Sequence, residues 1–353
     1  MEIGLGLDFS LGLSFDEQAE LSREAARLGY ESLWTPEGAG HDSFQLCALR
    51  WRASTEVVEA GLGTGIAVSP VAYRSPVAFA MSAGTLSAIS GGRFILGIGS
   101  GGIYRPAVRR ALGFGGSSTI ASMREYVTAV RALLAGETVD VRGEAVHLEG
   151  VQLGIDPPPR TPVFLGALGP RMLELAGEVA DGAALNWCSS ERVAWSRERV
   201  IEGAAASGRD PGEVRLAEYI RICVDDDVEV ARSAYVRSLT GYALGLEVPT
   251  EAQRRYGYRA HFERMGYAPQ LGELDQMRER GAPPDELVAA FPDELALAVG
   301  YFGTADGAAT AFERLAAGLD IAIVRVVAAR PGLDAVRAVM DACRPDAVRE
   351  AAG

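Results

Sequence analysis

Eight short apolar runs, each followed by a stretch of helical length, recur from one end of this 353-residue chain to the other, and that alternation narrows the fold more than any single motif. The runs cover residues 3–7, 32–35, 61–68, 94–97, 162–166, 182–186, 215–224 and 320–327. Helices are expected near 15–28, 44–58, 76–90, 120–134, 171–179, 190–206, 227–244, 305–317 and 333–342. Strands separated by helices pair in parallel, and about eight such units is the number that closes a sheet on itself. The expected fold is therefore α/β, a (β/α)8 TIM-like barrel spanning 1–353 as one domain. Ser14 ahead of Phe15-Asp16-Glu17 has the form of a capping box, Glu191 places acid in a first turn, and Gly29 and Gly318 fall where helices end. Two stretches stand outside the repeat. Residues 138–148 read as a small hairpin turning at Gly143-Glu144, followed by the stiff Asp156-Pro-Pro-Pro159. Residues 249–294, charged and broken by prolines, are expected to form a helical insertion after the seventh strand that lies over the barrel mouth as a lid.

Charge then narrows the partners. Lys and Arg total 34 against 47 Asp and Glu, a net charge of −13, which repels nucleic acid and anionic membranes and leaves a small molecule as the expected ligand. The longest uncharged run, 75–92, carries Pro76, serines and glycines, which is poor material for a membrane span. The N-terminus lacks the basic region of a secretion signal and reads directly as a strand. Cys47, Cys188, Cys223 and Cys343 are far apart with no CxxC pair, which argues against a disulfide frame and against a structural metal. A reduced, cytoplasmic protein is the expectation.

In a barrel of this kind chemistry sits at the C-terminal ends of the strands. Those ends here are Asp8, Thr35-Pro36-Glu37, Val68-Ser69, the Gly99-Ser100-Gly101-Gly102 run, Gly166 to Arg171, Asn186-Trp187-Cys188, Asp225 and 328–330. Phe94-Ile-Leu-Gly-Ile-Gly-Ser-Gly-Gly102 is the most glycine-rich of them. Glycines there let a ligand approach the main chain, and unshielded N–H groups favour an anion or a polar ring edge. The spacing Gly97-x-Gly99-x-x-Gly102 also satisfies the dinucleotide-binding pattern, but Tyr104-Arg-Pro106 interrupts the helix that should follow, and the strand is about the fourth in the chain. No lysine occupies a strand end, so Schiff-base chemistry has no candidate.

Several of these motifs are shared with a known family. Leu33-Trp-Thr-Pro-Glu37, Leu62-Gly-Thr-Gly-Ile66, Ser90-Gly-Gly-Arg-Phe94, Leu96-Gly-Ile-Gly-Ser-Gly101, Leu165-Gly-Ala-Leu-Gly-Pro170 and Ala180-Asp-Gly182 fall at successive strands in order. The chain resembles the luciferase-like monooxygenase superfamily, in particular its branch that uses coenzyme F420, over nearly its whole length. The resemblance implies a flavin or deazaflavin ring in the barrel mouth and a non-prolyl cis peptide on the third strand at Gly65 and Ile66, with Val68 beside it. It implies that Gly99, Ser100, Gly101 and Gly102 bond the cofactor tail. Gly166, Ala167, Leu168, Gly169, Pro170 and Arg171 would then seat its phosphate, as a helix N-terminus with an adjacent guanidinium favours. Arg105, Arg109 and Arg110 stand where an acidic tail could meet them.

Glu37 is expected as the acid/base, a carboxylic acid kept neutral between an apolar wall and the ring, with His41 as the alternative proton carrier. Members of the branch that oxidise a sugar phosphate carry Asp-His where this chain has Pro36-Glu37, which counts against that substrate. Asp8, Trp34, Trp187, Arg221 and Tyr301 are the substrate-binding candidates. His147 and His261 are given no role. The implied function is a coenzyme F420-dependent oxidoreductase moving a hydride between C5 of the deazaflavin and a small organic substrate. FMN-dependent oxygenation and a cofactor-binding barrel without turnover are the alternatives. The family also implies a possible homodimer through outer helices.

Overall fold

Among the described residues eleven strands carry the architecture of the computed structural model: β1 (Glu2–Gly6), β2 (Ser32–Thr35), β3 (Gly63–Pro70), β4 (Phe94–Gly99), β5 (Val139–Arg142), β6 (His147–Val151), β7 (Val163–Gly166), β8 (Gly182–Asn186), β9 (Arg215–Val224), β10 (Gly300–Gly303) and β11 (Ile321–Val326). The structure describes residues 1–114, 116, 118–156, 158, 161–245 and 251–352. Nine strands form one sheet in the order β10-β9-β11-β1-β2-β3-β4-β7-β8, and β8 also pairs with β9. Omitting β10, the remaining eight close on themselves as a (β/α)8 barrel. β5 and β6 form the expected antiparallel hairpin, outside the barrel sheet and ahead of β7.

Local sequence sets the helix phase. Ser14 accepts from the Glu17 amide and Glu17 accepts from the Ser14 amide, so the helix Phe15–Arg27 starts on a complete capping box. Gly29 and Gly318 follow their helices with φ of 87° and 84°, the left-handed geometry that glycine adopts without strain. No helix follows Gly102 directly; the chain turns over 101–105 and Pro106 starts the helix Pro106–Ala111, at the position where a missing N–H costs nothing. β10 was not anticipated either. Its four residues, Gly-Tyr-Phe-Gly, are too short to stand out as an apolar run, and only pairing with β9 makes them a strand.

The chain divides into two compact units. The first comprises Met1–Leu185, Trp195–Glu218 and Leu319–Ile323, and the second Asn186–Ala194, Tyr219–Gly318 and Val324–Gly353. The expected insertion belongs to the second unit and is helical, with helices at Glu251–Tyr256, Tyr258–Phe262, Ala268–Glu279, Pro284–Ala289 and Asp293–Ala298. Its first residue, Pro249, and Pro157 and Pro159 of the proline run lie outside the described residues. The insertion packs Phe262, Leu271, Leu274, Phe291 and Leu295 against Tyr235, Val236 and Leu239 of the helix Val228–Ala243. Full burial of each such side chain stabilises by about 1.5–3 kcal/mol. Asp275, buried, is held by Arg259 at 2.8 Å and Arg278 at 2.7 Å, so the insertion's one deeply buried acid is paired. Among the described residues no helix is long and apolar enough to cross a membrane.

Candidate active site

In the first unit β3 departs from regular pairing at its C-terminal half. Ile66 sits opposite Leu96 and Ser69 opposite Ile98, so three steps along β3 match two along β4. One extra residue makes a β-bulge there, a device that re-aims a side chain next to a functional site. The non-prolyl cis peptide lies within it at Ala67–Val68, two residues beyond the expected Gly65 and Ile66.

The bulge explains the glycines of β4. A Cβ on Gly99 would run into Val68 Cγ2, and one on Gly97 into the Ile66 carbonyl. Gly166 on β7 flanks the same Val68 side chain, with its would-be Cβ 3.2 Å from Cγ1. These glycines therefore accommodate the protein's own bulged strand. That contact accounts for the absence of a side chain at Gly97 and Gly99 without a ligand. Gly65 and Ile66 are likewise internal: Gly65 lies under the Trp34 ring and Ile66 is fully buried.

Glu37 follows β2 and reaches the bulge. Its Oε1 accepts from Arg74 Nη2 at 2.7 Å and from the Ser43 amide at 3.2 Å, and its Oε2 accepts from Arg74 Nη1 and the Ser69 hydroxyl. Its own amide donates to the Val68 carbonyl at 3.3 Å. The setting expected for a neutral carboxylic acid, an apolar wall, is absent. The partners are a guanidinium, a hydroxyl and an amide, and they occupy both carboxyl oxygens as donors. Arg74 was not foreseen. It pairs also with Asp42, and its guanidinium carbon lies 4.7 Å from the Phe44 ring centroid and 5.7 Å from that of Phe79. Burial pulls its pKa down, but hydrogen bonds and charge from Glu37 and Asp42 outweigh that and hold it above the usual value. The only sequence signal for it was an isolated basic residue just before the helix Pro76–Ile89.

Beyond β4 the chain turns tightly through Ser100, Gly101 and Gly102, with φ of 55° and 84° at the two glycines. The Ile103 amide donates to the Ser100 carbonyl at 3.0 Å. Arg109 is committed to this loop, donating from Nε to the Ile103 carbonyl at 3.1 Å, while Arg105 and Arg110 are exposed. Beyond β7, Gly166 and Ala167 lead through Leu168 to Gly169, the N-cap of the helix Pro170–Val179. No side chain caps that N-terminus, and Arg171 stands exposed in its first turn. At that start Pro170 has no N–H and the Met172 and Leu173 amides donate to the Gly169 carbonyl, so a phosphate there would be met by the Arg171 amide and guanidinium.

The other candidates of this unit have local partners. Asp8 caps the short turn Phe9–Leu11, accepting from the Ser10 amide at 2.7 Å. Trp34 is 1% exposed, with its indole N–H on the Ser32 hydroxyl at 2.8 Å and its ring over Gly65 and Gly4, so it is core and not rim. His41 is exposed and stacks on Phe15 with centroids 4.8 Å apart. A groove of about 620 Å³ in the first unit, lined by Thr128, Arg131, Thr161, Asp181 and Arg215 among others, lies by the N-terminal starts of β7, β8 and β9, the end away from these loops.

In the second unit Trp187 is fully buried with φ 58°, and Arg221 of β9 stacks on it at 3.7 Å. Arg221 Nη1 donates to Asn186 Oδ1 at 2.6 Å. His261, unassigned from sequence, meets the Trp187 carbonyl through Nε2 at 2.8 Å, and burial drives its pKa down to about 3. Tyr301 donates to the Thr304 carbonyl at 2.8 Å and so pins its own turn; burial raises its pKa. His147 sits exposed on the hairpin beside Glu149. Among the described residues no group of acidic, histidine and cysteine side chains could hold a metal.

Comparison with known proteins places this geometry. The chain is 32% identical over 216 residues to a 5,10-methylenetetrahydromethanopterin reductase of Methanolobus tindarius, a match covering 61% of this chain and 64% of that protein. It is 27% identical over 272 residues to an F420-dependent glucose-6-phosphate dehydrogenase of Mycolicibacterium gilvum, covering 74% and 76%. The solved coenzyme F420-dependent tetrahydromethanopterin reductase of Methanopyrus kandleri shares the fold, with a TM-score of 0.75 over 99% of both chains at 20% identity. A profile of the luciferase-like monooxygenases matches residues 4–322, and with barrel, bulge and motif order in agreement, the chain belongs to the luciferase-like monooxygenase family.

Proposed function

We propose that this protein is a coenzyme F420-dependent oxidoreductase that moves a hydride between C5 of the deazaflavin and a small organic substrate. The observation that carries the reading is the bulge of β3, seated on the glycines of β4 and braced by Glu37 and Arg74 at the C-terminal ends of the strands. The similarity to proteins named for F420 supports the choice of cofactor over FMN.

The residues present fit such a cofactor at its phosphate: the amide and guanidinium of Arg171, at the uncapped helix start beside Gly169 and Pro170, would hold it. Ser100, Gly101 and Gly102 would border the tail. When bound, the deazaflavin supplies two electrons as a hydride. The protein's own contribution is positional. Glu37 and Arg74 hold Ser69 and the bulge in place, which fixes the wall against which a ring would lie. Since Glu37 is committed to Arg74, the proton role passes in this reading to His41. Titration of the purified protein with coenzyme F420 and with FMN, followed by quenching of each cofactor's fluorescence, tests the proposal. Saturable quenching of F420 is expected; tight FMN binding with no response to F420 would overturn it.

A further inference from the structure

Arg221 is 1% exposed, yet among the described residues no acid stands among the groups that act on it most strongly. The groups acting on it most strongly are a second guanidinium, Arg325, and the phenols of Tyr242, Tyr258 and Tyr235. Burial first, and Arg325 next, push its pKa down to about 10. Its position is nevertheless firmly set. Nη1 donates to Asn186 Oδ1 at 2.6 Å, and the guanidinium carbon lies 3.7 Å from the Trp187 ring centroid and 5.1 Å from that of Tyr242. Nη2 has no hydrogen-bond partner among the described residues. Buried charges are normally paired and buried donors normally satisfied, so a rigid guanidinium with an idle amino group, next to another cation, is waiting for an anion.

A second donor is held on the same Asn186. Its Nδ2 donates to the Tyr258 hydroxyl oxygen at 2.7 Å, which uses that oxygen as acceptor and leaves the phenolic proton to be given elsewhere. Burial raises the Tyr258 pKa to about 12, so the proton stays in place at neutral pH. We propose that Arg221 and Tyr258 together receive a carboxylate of the substrate, so that the protein acts on a small organic acid. The proposal rests on the oxidoreductase reading and names its substrate class. A carboxylate accepts from both donors, and its charge offsets the repulsion between Arg221 and Arg325. The aromatic rings around the guanidinium favour a flat group, which is why carboxylate is preferred over phosphate although both present anionic oxygens.

The test titrates the full chain at constant ionic strength with benzoate, with benzamide and with inorganic phosphate, reading melting temperature and calorimetric heat. Coenzyme F420 quenching is measured on the same samples. Saturable binding of benzoate with none of benzamide is expected. Arg221→Gln should weaken benzoate at least tenfold and Tyr258→Phe several-fold. Equal behaviour of benzoate and benzamide, binding of phosphate alone, or unchanged benzoate affinity in the variants would each overturn the proposal. Should Arg221→Gln fail to fold, Tyr258→Phe and the acid-versus-amide contrast in the native sequence still decide. F420 quenching without benzoate binding sinks this proposal alone. Benzoate binding without F420 quenching supports the receiver and sinks the oxidoreductase reading.

Discussion

Glu37 accepts from Arg74 through both oxygens and from Ser69 and Ser43 besides, so its charge is used to hold neighbours in place. Replacing it by glutamine leaves Arg74 with Asp42 and the Ser69 hydroxyl and should cost about 3 kcal/mol of stability, the scale for breaking a mostly buried pair from one side. A urea melt measures this. An unchanged midpoint combined with lost turnover would return Glu37 to the acid/base role. The glycines of β4 make a sharper pair. In Gly99→Ala the new methyl meets the Val68 side chain, so about 2 kcal/mol should be lost, and Val68→Ala in the same molecule should recover most of it. In Gly97→Ala the methyl meets the Ile66 carbonyl, which is main chain, and Val68→Ala should give no such recovery. Equal rescue of both by Val68→Ala would contradict the seating described. The glycines themselves were legible in the sequence. Their purpose was not, because a glycine makes room equally well for a ligand and for a neighbouring strand.

Strands and helices followed the apolar period closely, since burial of one face dictates period 2 or 3.6 whatever the partner. The elements that escaped were those made by a neighbour. β10 becomes a strand by lying beside β9, and the β3 bulge exists only relative to β4. His261 belongs to this scale too. It sits in the short helix Tyr258–Phe262 and ties the insertion to the Trp187 carbonyl, a contact 74 residues away along the chain. Burial lowers its pKa from the usual 6.5 to about 3, so the folded protein refuses a proton that the unfolded chain takes up below pH 6.5. This contribution is whole above pH 6.5 and declines as pH falls toward 3, by up to about 1.4 kcal/mol per pH unit. Urea midpoints between pH 7 and 4 should therefore fall less steeply for His261→Gln than for the native sequence. Parallel slopes would show that His261 is not a source of acid sensitivity.

At the scale of the molecule, all four cysteines are buried and outside any disulfide. Burial drives Cys47 and Cys223 up to about 12 and Cys343 higher, so little thiolate forms at neutral pH. A thiol reagent should label almost nothing in the native protein and four groups after denaturation, and rapid native labelling would mean that a core region opens. What the sequence determined by itself was the repeat: eight βα units, their phase and the strand ends where chemistry is to be sought, because periodic burial and caps are local properties written residue by residue. Only the tertiary structure decided which side chains meet there. Glu37 finding Arg74, Val68 filling the glycine seat, and Arg221 meeting Asn186 are facts about residues far apart in the chain, and Coulomb and packing forces act on distance in space.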